Sequence, residues 1–151
     1  EGGASEIDEE MYGVLSLGMA GCEAIDLLDV EAFRKEKIVK QIIETAHMNG
    51  KKVIISNHDF SATPSESEIV RRLSCMQRMG ADMAKIAVMP QSMQDVITLM
   101  GASLQCNEEL SCPIITMAMG AMGSISRICG EFSGSAITFA SAKVASAPGQ
   151  M

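Results

Sequence analysis

The chain has 151 residues, 47% of them apolar, and its 19 acidic and 12 basic side chains give a formal net charge of −7. This length allows one domain with a sizeable core, whereas the negative charge is unfavourable for nucleic acid or an anionic membrane surface as a partner. The chain has no Trp and one Tyr, so it lacks the aromatic platforms on which single-stranded bases stack.

Segments typical of helices and of strands alternate along the whole chain. Apolar residues at helical spacing predict helices, and short runs rich in Val and Ile predict strands. The pattern predicts helices over 6–19, 34–49, 63–79, 92–110 and 123–132, and strands over 24–31, 52–57, 83–89, 113–118 and 135–139. Strict alternation of this kind indicates a parallel sheet with helices outside it.

Two α/β architectures fit this alternation, an open doubly wound sheet and part of a (β/α)8 TIM barrel. No Gly-x-Gly-x-x-Gly follows the first predicted strand, which argues against a dinucleotide-binding sheet. Polar residues instead gather at or after the ends of several strands, as barrel enzymes arrange them. A whole barrel takes about 250 residues, so we expect an incomplete portion of one, forming a single domain over 1–151.

The cysteine pattern and the hydropathy both indicate a protein of the cytoplasm. The five cysteines are scattered without any Cys-x-x-Cys, and only two histidines accompany them. We therefore predict no metal cluster and reduced, mostly buried thiols. No segment approaches the roughly 20 apolar residues of a membrane span, and the acidic start is not typical of a signal peptide.

Lys85 lies inside the apolar run 84–90, which otherwise is typical of a buried strand. Burying an ammonium is costly, and desolvation favours a neutral amine that can attack a carbonyl. The alternative is a lysine near a strand end that extends to water. Strand alternation places Lys85 and the small Ala87 on one face, which would be the interior of a barrel.

His58 follows the preceding strand, at its carboxyl end. Parallel neighbours lie about 4.8 Å apart, so His58 would stand within reach of a group attached to Lys85. An amine can condense with a ketone to an iminium, which acidifies the adjacent carbon, and an imidazole can then transfer protons. The alternative for His58 is a hydrogen-bonding loop residue, and His47 on a polar helix face is assigned no chemical role.

Five further residues have both a functional and a structural interpretation. Arg127, early in the short helix, is a natural carboxylate clamp because its guanidinium binds bidentately, but it could equally be a surface arginine. Ser146 and Gln150 in the final loop 145–150 offer hydrogen bonds. Asp29 and Glu31 share one strand face, where they would orient Lys85 or His58 or only satisfy polar groups of the core.

A series of short motifs, in order and spacing, resembles type I 3-dehydroquinate dehydratases of the shikimate pathway along the whole chain. The motifs are Glu-Gly-Gly (1–3), Asp-Val-Glu (29–31), Ser-Asn-His-Asp-Phe (56–60), Lys-Ile-Ala-Val-Met-Pro-Gln-Ser (85–92), Ile-Thr-Met-Ala-Met (115–119), Ser-Arg (126–127), Gly-Glu (130–131), Gly-Ser (134–135), Thr-Phe (138–139) and Ala-Ser-Ala-Pro-Gly-Gln (145–150).

The resemblance implies a homodimeric (β/α)8 barrel that converts 3-dehydroquinate to 3-dehydroshikimate and water, by syn elimination through an imine, without cofactor or metal. By position, Lys85 is the Schiff-base lysine, His58 the general acid and base, and Arg127 the residue that binds the substrate carboxylate. Other positions implied to contact the substrate or line its pocket are Glu1, which also helps position the histidine, Phe60, Met117, Met119, Ala147, and Ser146 and Gln150 of a lid loop.

The resemblance also implies that the chain is the C-terminal part of the barrel, about strands 4 to 8. The family's first strands precede Glu1 and its last helix follows Gln150, so we expect a fragment that is unstable or inactive alone, because open sheet edges leave backbone groups unpaired. Alternatives are another Schiff-base barrel enzyme, such as a class I aldolase, or an inactive scaffold. His58, Arg127 and the final loop argue against an aldolase. Intact Lys85 and His58 argue against a scaffold, but the truncation leaves that alternative open for this chain.

Overall fold

A computed structural model describes residues 7–142 of the chain. In chain order its elements are α1 (Glu9–Gly21), β1 (Leu27–Glu31), α2 (Glu36–Met48), β2 (Lys52–Asp59), α3 (Glu66–Arg78), β3 (Met83–Val88), α4 (Met93–Glu109), β4 (Ile114–Ala118), a 3-10 turn (Ala121–Gly123), α5 (Ser124–Ile128) and α6 (Gly130–Ser133). Among these residues, no helix combines the length and the apolar character needed to cross a membrane.

The four strands form one parallel sheet in the order β1-β2-β3-β4. Each strand therefore lies beside the next one in the chain, with a helix making each connection. In a doubly wound sheet the strand order reverses at a switch point, and no reversal occurs within residues 7–142. Sequential order is the arrangement of a barrel wall, which the predicted alternation had left open.

Local signals explain where two of the helices begin. Ser65 caps α3 by accepting a hydrogen bond from the Glu68 N–H, so this helix starts after Pro64 rather than at residue 63. Ser92 and Asp95 form a reciprocal capping box at the start of α4. These caps fix the connections that follow β2 and β3, the two strands that carry His58 and Lys85.

The sheet has two differently covered faces. One face packs on the helices through buried residues such as Val30, Ile55 and Ile86, which meet Leu73 of α3 and Leu99 of α4. The other face holds a second, smaller apolar cluster of Ile54, Ala87, Ile115, Met117 and Met119, against which Met83, Met89, Ile137 and Phe139 pack. Alternation along the strands, as predicted, thus separates a helix-facing core from a face that is the interior of a barrel wall.

The predicted last strand over 135–139 is wrong. Ser135 makes only an isolated parallel bridge to Ile114, and the Ala136 N–H donates to the Ile114 carbonyl at 2.8 Å. The next ladder position is taken by a side chain, because the Thr116 N–H donates to Ser135 Oγ at 2.9 Å. Because the Ser135 hydroxyl takes the place of a backbone carbonyl, the regular backbone hydrogen bonding to β4 ends here. The segment after Ser135 is therefore not a strand.

Candidate active site

Lys85 lies on β3 and is buried, with 8% of its surface exposed. Its Nζ is 2.7 Å from Asp29 Oδ2 on β1, and it stands over the Phe139 ring at 4.9 Å from the ring centroid. Burial of an ammonium is tolerated when a carboxylate compensates the charge, and the aromatic face adds a cation–π contact. Lys85 therefore does not extend to water, and its amine has a defined position above the interior face of the sheet.

Ser56 links the two charged groups from the strand between them. It is paired with Lys85 in the β2–β3 register and with Glu31 in the β1–β2 register. Its hydroxyl donates to Asp29 Oδ1 at 2.5 Å, so the two carboxylate oxygens of Asp29 serve Ser56 and Lys85 separately. Asp29 was predicted as a possible partner of Lys85, whereas Ser56 was not predicted. Its position two residues before His58, on the same face of one strand, was the signal that could have identified it.

His58 occupies the same sheet face as Lys85, on the neighbouring strand. It is paired with Ala87, two residues beyond Lys85, so strand spacing and rise place the two Cα atoms about 8 Å apart. The imidazole is half-buried and stacks on Phe60, with ring centroids 5.8 Å apart and an interplanar angle of 14°. The predicted juxtaposition of His58 and Lys85 is thus present in the strand register.

A polar network fixes the loop that follows His58. Arg72 of α3 donates to Asn57 Oδ1 at 2.9 Å and to Glu68 Oε1 at 2.8 Å. Hydrogen bonds from Arg71 and then Arg72 lower the pKa of Glu68 from 4.5 to about 2. Burial opposes ionisation of Asp59, but hydrogen bonds from the loop residues after it lower the pKa of this carboxyl below its usual value.

A cavity of about 540 Å³ opens beside this loop. It is lined by His58, Phe60 and the network residues, together with Phe33 and Ser61. Lys85 does not line it, so this cavity reaches the imidazole but not the amine. Phe60 lines this cavity as an exposed residue, whereas Met117 and Met119 are buried in the apolar cluster beside Ala87.

Arg127 lies on α5 and is 5% exposed. Desolvation lowers the pKa of its guanidinium. Ser126, its neighbour, accepts a hydrogen bond from the Ala118 N–H at 2.9 Å and donates to the Gly123 carbonyl at 2.7 Å. These bonds hold α5, and with it the predicted carboxylate clamp Arg127, against the carboxyl end of β4.

Arg127 lines a second cavity, of about 480 Å³, which neither Lys85 nor His58 lines. Ile137 also lines this cavity and packs in the apolar cluster with Ala87 and Phe139. The segment 137–139 therefore borders both the cavity of Arg127 and the surroundings of the Lys85 amine. Phe139 belongs to the Thr-Phe motif at 138–139, but no role was predicted for it.

Four predicted site residues, Glu1, Ser146, Ala147 and Gln150, lie outside the described residues. Within residues 7–142, no group of three or more His, Cys, Asp or Glu side chains could hold a metal ion.

Comparison with known families identifies the family of this chain. The family described as Type I 3-dehydroquinase matches the chain over residues 1–151. The chain belongs to the type I 3-dehydroquinase family. The resemblance predicted from the motifs is thereby confirmed, and membership in this family argues against a class I aldolase.

Curated relatives in this family are considerably longer than the chain. 3-Dehydroquinate dehydratase of Listeria monocytogenes serotype 4b (strain CLIP80459) is 52% identical over 151 residues, which are 100% of this chain and 60% of the relative. The enzyme of the same name from Syntrophotalea carbinolica is 47% identical over 152 residues, again covering 100% and 60%. The chain thus spans about 60% of the length of these type I 3-dehydroquinases.

Solved structures of the family share the fold. The type I 3-dehydroquinate dehydratase from Clostridium difficile, with covalently modified comenic acid, superposes with a TM-score of 0.95 at 47% identity and covers 100% of this chain and 60% of that chain. The 3-dehydroquinate dehydratase from Geobacillus kaustophilus gives 0.92 at 37% identity, covering 97% and 56%. The four-stranded sheet of this chain is therefore part of a TIM barrel.

Proposed function

We propose that this chain is the C-terminal part, about strands 4 to 8, of a 3-dehydroquinate dehydratase that acts through a Lys85 imine. The observation that carries the proposal is a buried lysine on β3 with a histidine on the same face of the adjacent strand, in a chain of this family. Relatives that bear the name 3-dehydroquinate dehydratase support the substrate assignment.

Lys85 is the proposed nucleophile. Its Nζ attacks the substrate ketone, and loss of water from the resulting carbinolamine gives an iminium that withdraws electrons from the adjacent carbon. Ala87 lies two residues from Lys85 on the same strand face, in an apolar cluster with Met117 and Phe139, and the Phe139 ring lies under the amine. The iminium itself is the electron sink, so the proposed reaction uses neither a metal nor a redox cofactor.

His58 is the proposed general acid and base. It removes a proton from the carbon next to the iminium and returns one to the leaving hydroxyl, so that water departs by syn elimination. Its place on β2, one pleat beyond the level of Lys85, suits a base that acts on an atom attached to the amine rather than on the amine itself. A positioned imidazole contributes roughly 10² to 10⁴ in rate.

Arg127 is the proposed partner of the substrate carboxylate, because a guanidinium binds a carboxylate with two parallel hydrogen bonds. For substrate to bridge Arg127 and Lys85, the segment 137–139 between their two environments must shift or pack around it. We propose substrate contacts for Phe60, Met117 and Met119, and for four positions outside the described residues: Glu1, Ser146, Ala147 and Gln150. A homodimer in the cytoplasm is proposed from the family resemblance.

The test uses the full-length protein, meaning a protein as long as the curated relatives that contains this chain. It should release a conjugated enone from 3-dehydroquinate, followed by ultraviolet absorbance, and borohydride should fix the reduced substrate on Lys85, located by peptide mass spectrometry. Lys51 is a matched internal control, because it is equally buried, at 7% exposed, and should carry no adduct. Turnover without an adduct at Lys85, or no turnover, rejects the proposed function.

A further inference from the structure

Two buried lysines in this chain have chemically different partners. Lys51 donates to the backbone carbonyls of Cys22 and Ile25, both at 2.6 Å. Lys85 donates to a carboxylate oxygen of Asp29 at 2.7 Å. A backbone carbonyl satisfies an ammonium but cannot accept its proton at ordinary pH, whereas a carboxylate can do both. Burial is similar at the two sites, so the partner is what distinguishes the lysine of the proposed active site.

We propose that Asp29 is the base that frees Lys85 for imine formation, and that Ser56 holds Asp29 in place for this role. The inference rests on the proposed function, because it concerns a step of that reaction. Its geometric basis is the chain Ser56 Oγ–Asp29–Lys85 Nζ, with consecutive distances of 2.5 and 2.7 Å across three neighbouring strands. Asp29 touches the reacting nitrogen and is a catalytic residue, whereas Ser56 acts through it and is a positioning residue.

In the proposed imine formation, Asp29 takes up one proton and later gives it back. Asp29 takes one proton from the ammonium, and the neutral amine adds its electron pair to the ketone carbon. A second proton passes from nitrogen to the former carbonyl oxygen, giving a neutral carbinolamine. Asp29 then returns its proton to that oxygen as the C–O bond breaks, so water leaves and the nitrogen electron pair completes the iminium. The carboxylate is regenerated beside the new cation and compensates its charge.

The location of Asp29 also lets Asp29 and His58 act on different atoms. Asp29 is on β1, reaching Lys85 across β2, whereas His58 is paired with Ala87, further toward the carboxyl end of the sheet. The base for the nitrogen and the base for the adjacent carbon therefore approach from different directions. One imidazole does not then have to serve the imine-forming step and the elimination step in succession.

Ser56 determines which oxygen of Asp29 faces the amine. Its side chain is almost completely buried and donates to Oδ1, which leaves Oδ2 for Lys85. Without this hydroxyl the carboxylate can rotate, so Oδ2 is no longer held toward the amine. Loss of Ser56 should thus weaken the same step as loss of Asp29 but to a smaller extent, and a threonine at this position should restore it.

The experiment measures imine formation separately from turnover in the full-length protein. Rapid mixing of enzyme with 3-dehydroquinate, followed by borohydride quenching at increasing times, gives the rate at which the Lys85 adduct appears. Asp29→Asn, which keeps size and shape, should slow this rate by about 10²-fold or more. Asp26→Asn, at an exposed position just before β1, is the matched control and should leave the rate unchanged.

Each outcome decides the inference. An unchanged or faster adduct rate in Asp29→Asn overturns it, since a carboxylate that only compensated charge would hold the amine protonated and its removal would speed attack. If Asp29→Asn does not fold, the rates of adduct formation in Ser56→Ala and Ser56→Thr decide. A slower rate in Ser56→Ala that is restored in Ser56→Thr supports the inference. Equal rates in wild type and Ser56→Ala overturn it. Wild-type protein that forms no Lys85 adduct at all contradicts instead the proposed function.

Discussion

Ser56 and Lys85 face each other across β2 and β3, and both contact the same carboxylate, that of Asp29. The arrangement depends on three parallel strands in sequential order, because Lys85 must reach past β2 to a residue of β1. A serine in the middle strand is small enough to let the long side chain pass and polar enough to hold the carboxylate. The sheet order and the chemistry of the amine are therefore linked through one small residue.

Substitution of Gly123 should distort the turn that carries Arg127. A Cβ at this position would overlap the backbone carbonyl of Ala118, and a backbone neighbour cannot move aside as a side chain can. We expect Gly123→Ala to lower the free energy of unfolding of the full-length protein by about 1–3 kcal/mol, the usual cost of overpacking, and to reduce turnover. Urea unfolding and steady-state kinetics measure the two effects.

Gly101 on α4 provides the matched control for that substitution. A Cβ there would approach only the end of the flexible Glu66 side chain, at 3.4 Å. Gly101→Ala should therefore be neutral or stabilise the protein by up to about 1 kcal/mol, because alanine loses less backbone entropy in a helix. Equal losses of stability in both variants would contradict a specific clash at Gly123.

The stability of the full-length protein should depend on Glu68 at acidic pH. The pKa of Glu68 falls from 4.5 to about 2 in the folded chain, so the folded state binds this proton less tightly than the unfolded state. The stabilisation is therefore fully present above pH 4.5 and is lost as the pH falls toward 2. Thermal unfolding as a function of pH measures it.

Glu68→Gln should have a lower melting temperature than wild type at pH 7. This difference should disappear as the pH falls from 4.5 to 2, where wild-type Glu68 becomes protonated. The side chain is accessible to solvent, so added salt should shrink the difference at pH 7. The hydrogen bond from Arg71 makes the largest contribution to lowering the Glu68 pKa. A difference between wild type and Glu68→Gln that is the same at every pH would show that the Arg71 and Arg72 contacts do not act through the charge.

The alternation of elements and the two faces of the sheet could be predicted from the sequence, because side-chain periodicity follows directly from backbone geometry. Periodicity also placed Lys85 on the interior face of its strand, but it left open whether the amine is buried or extends to water. Strand order was not predictable, since both a barrel and a doubly wound sheet satisfy the same periodicity. The pattern over 135–139 predicted a strand, but whether a segment pairs depends on its neighbour, and there Ser135 Oγ occupies a place in the ladder.

Distances between remote side chains could be predicted only where strand pairing fixes them. His58 and Lys85 lie on adjacent strands, so their shared face follows from alternation once the strands are neighbours. Arg127 lies on a short helix after a glycine-containing turn, whose direction periodicity does not determine. The cavity that it lines, separate from Lys85, could not have been inferred from its position in the sequence.

Removal of the His58 imidazole should separate imine formation from elimination. We expect His58→Ala in the full-length protein to form the Lys85 adduct and to lose about 10²- to 10⁴-fold in kcat, the usual contribution of a positioned acid or base. Borohydride trapping and steady-state turnover of 3-dehydroquinate are measured on the same preparation. His47→Ala is the control, because His47 contacts Asp82 at 2.8 Å, near the opposite end of the sheet. Turnover close to that of wild type would remove His58 from the mechanism.

Loss of the Arg127 guanidinium should weaken substrate binding more than it slows chemistry. Hydrogen bonds between charged groups contribute about 1.5–3 kcal/mol, so Arg127→Ala should raise KM for 3-dehydroquinate by roughly 10- to 100-fold. The value of kcat should change much less, because a carboxylate remote from the imine carbon is bound equally in the ground and transition states. Arg127→Lys keeps the charge but not the bidentate geometry, so its KM should lie between those of wild type and Arg127→Ala. An unchanged KM in Arg127→Ala would mean that the substrate does not reach past the segment 137–139, and that the cavity around Arg127 is separate from the active site.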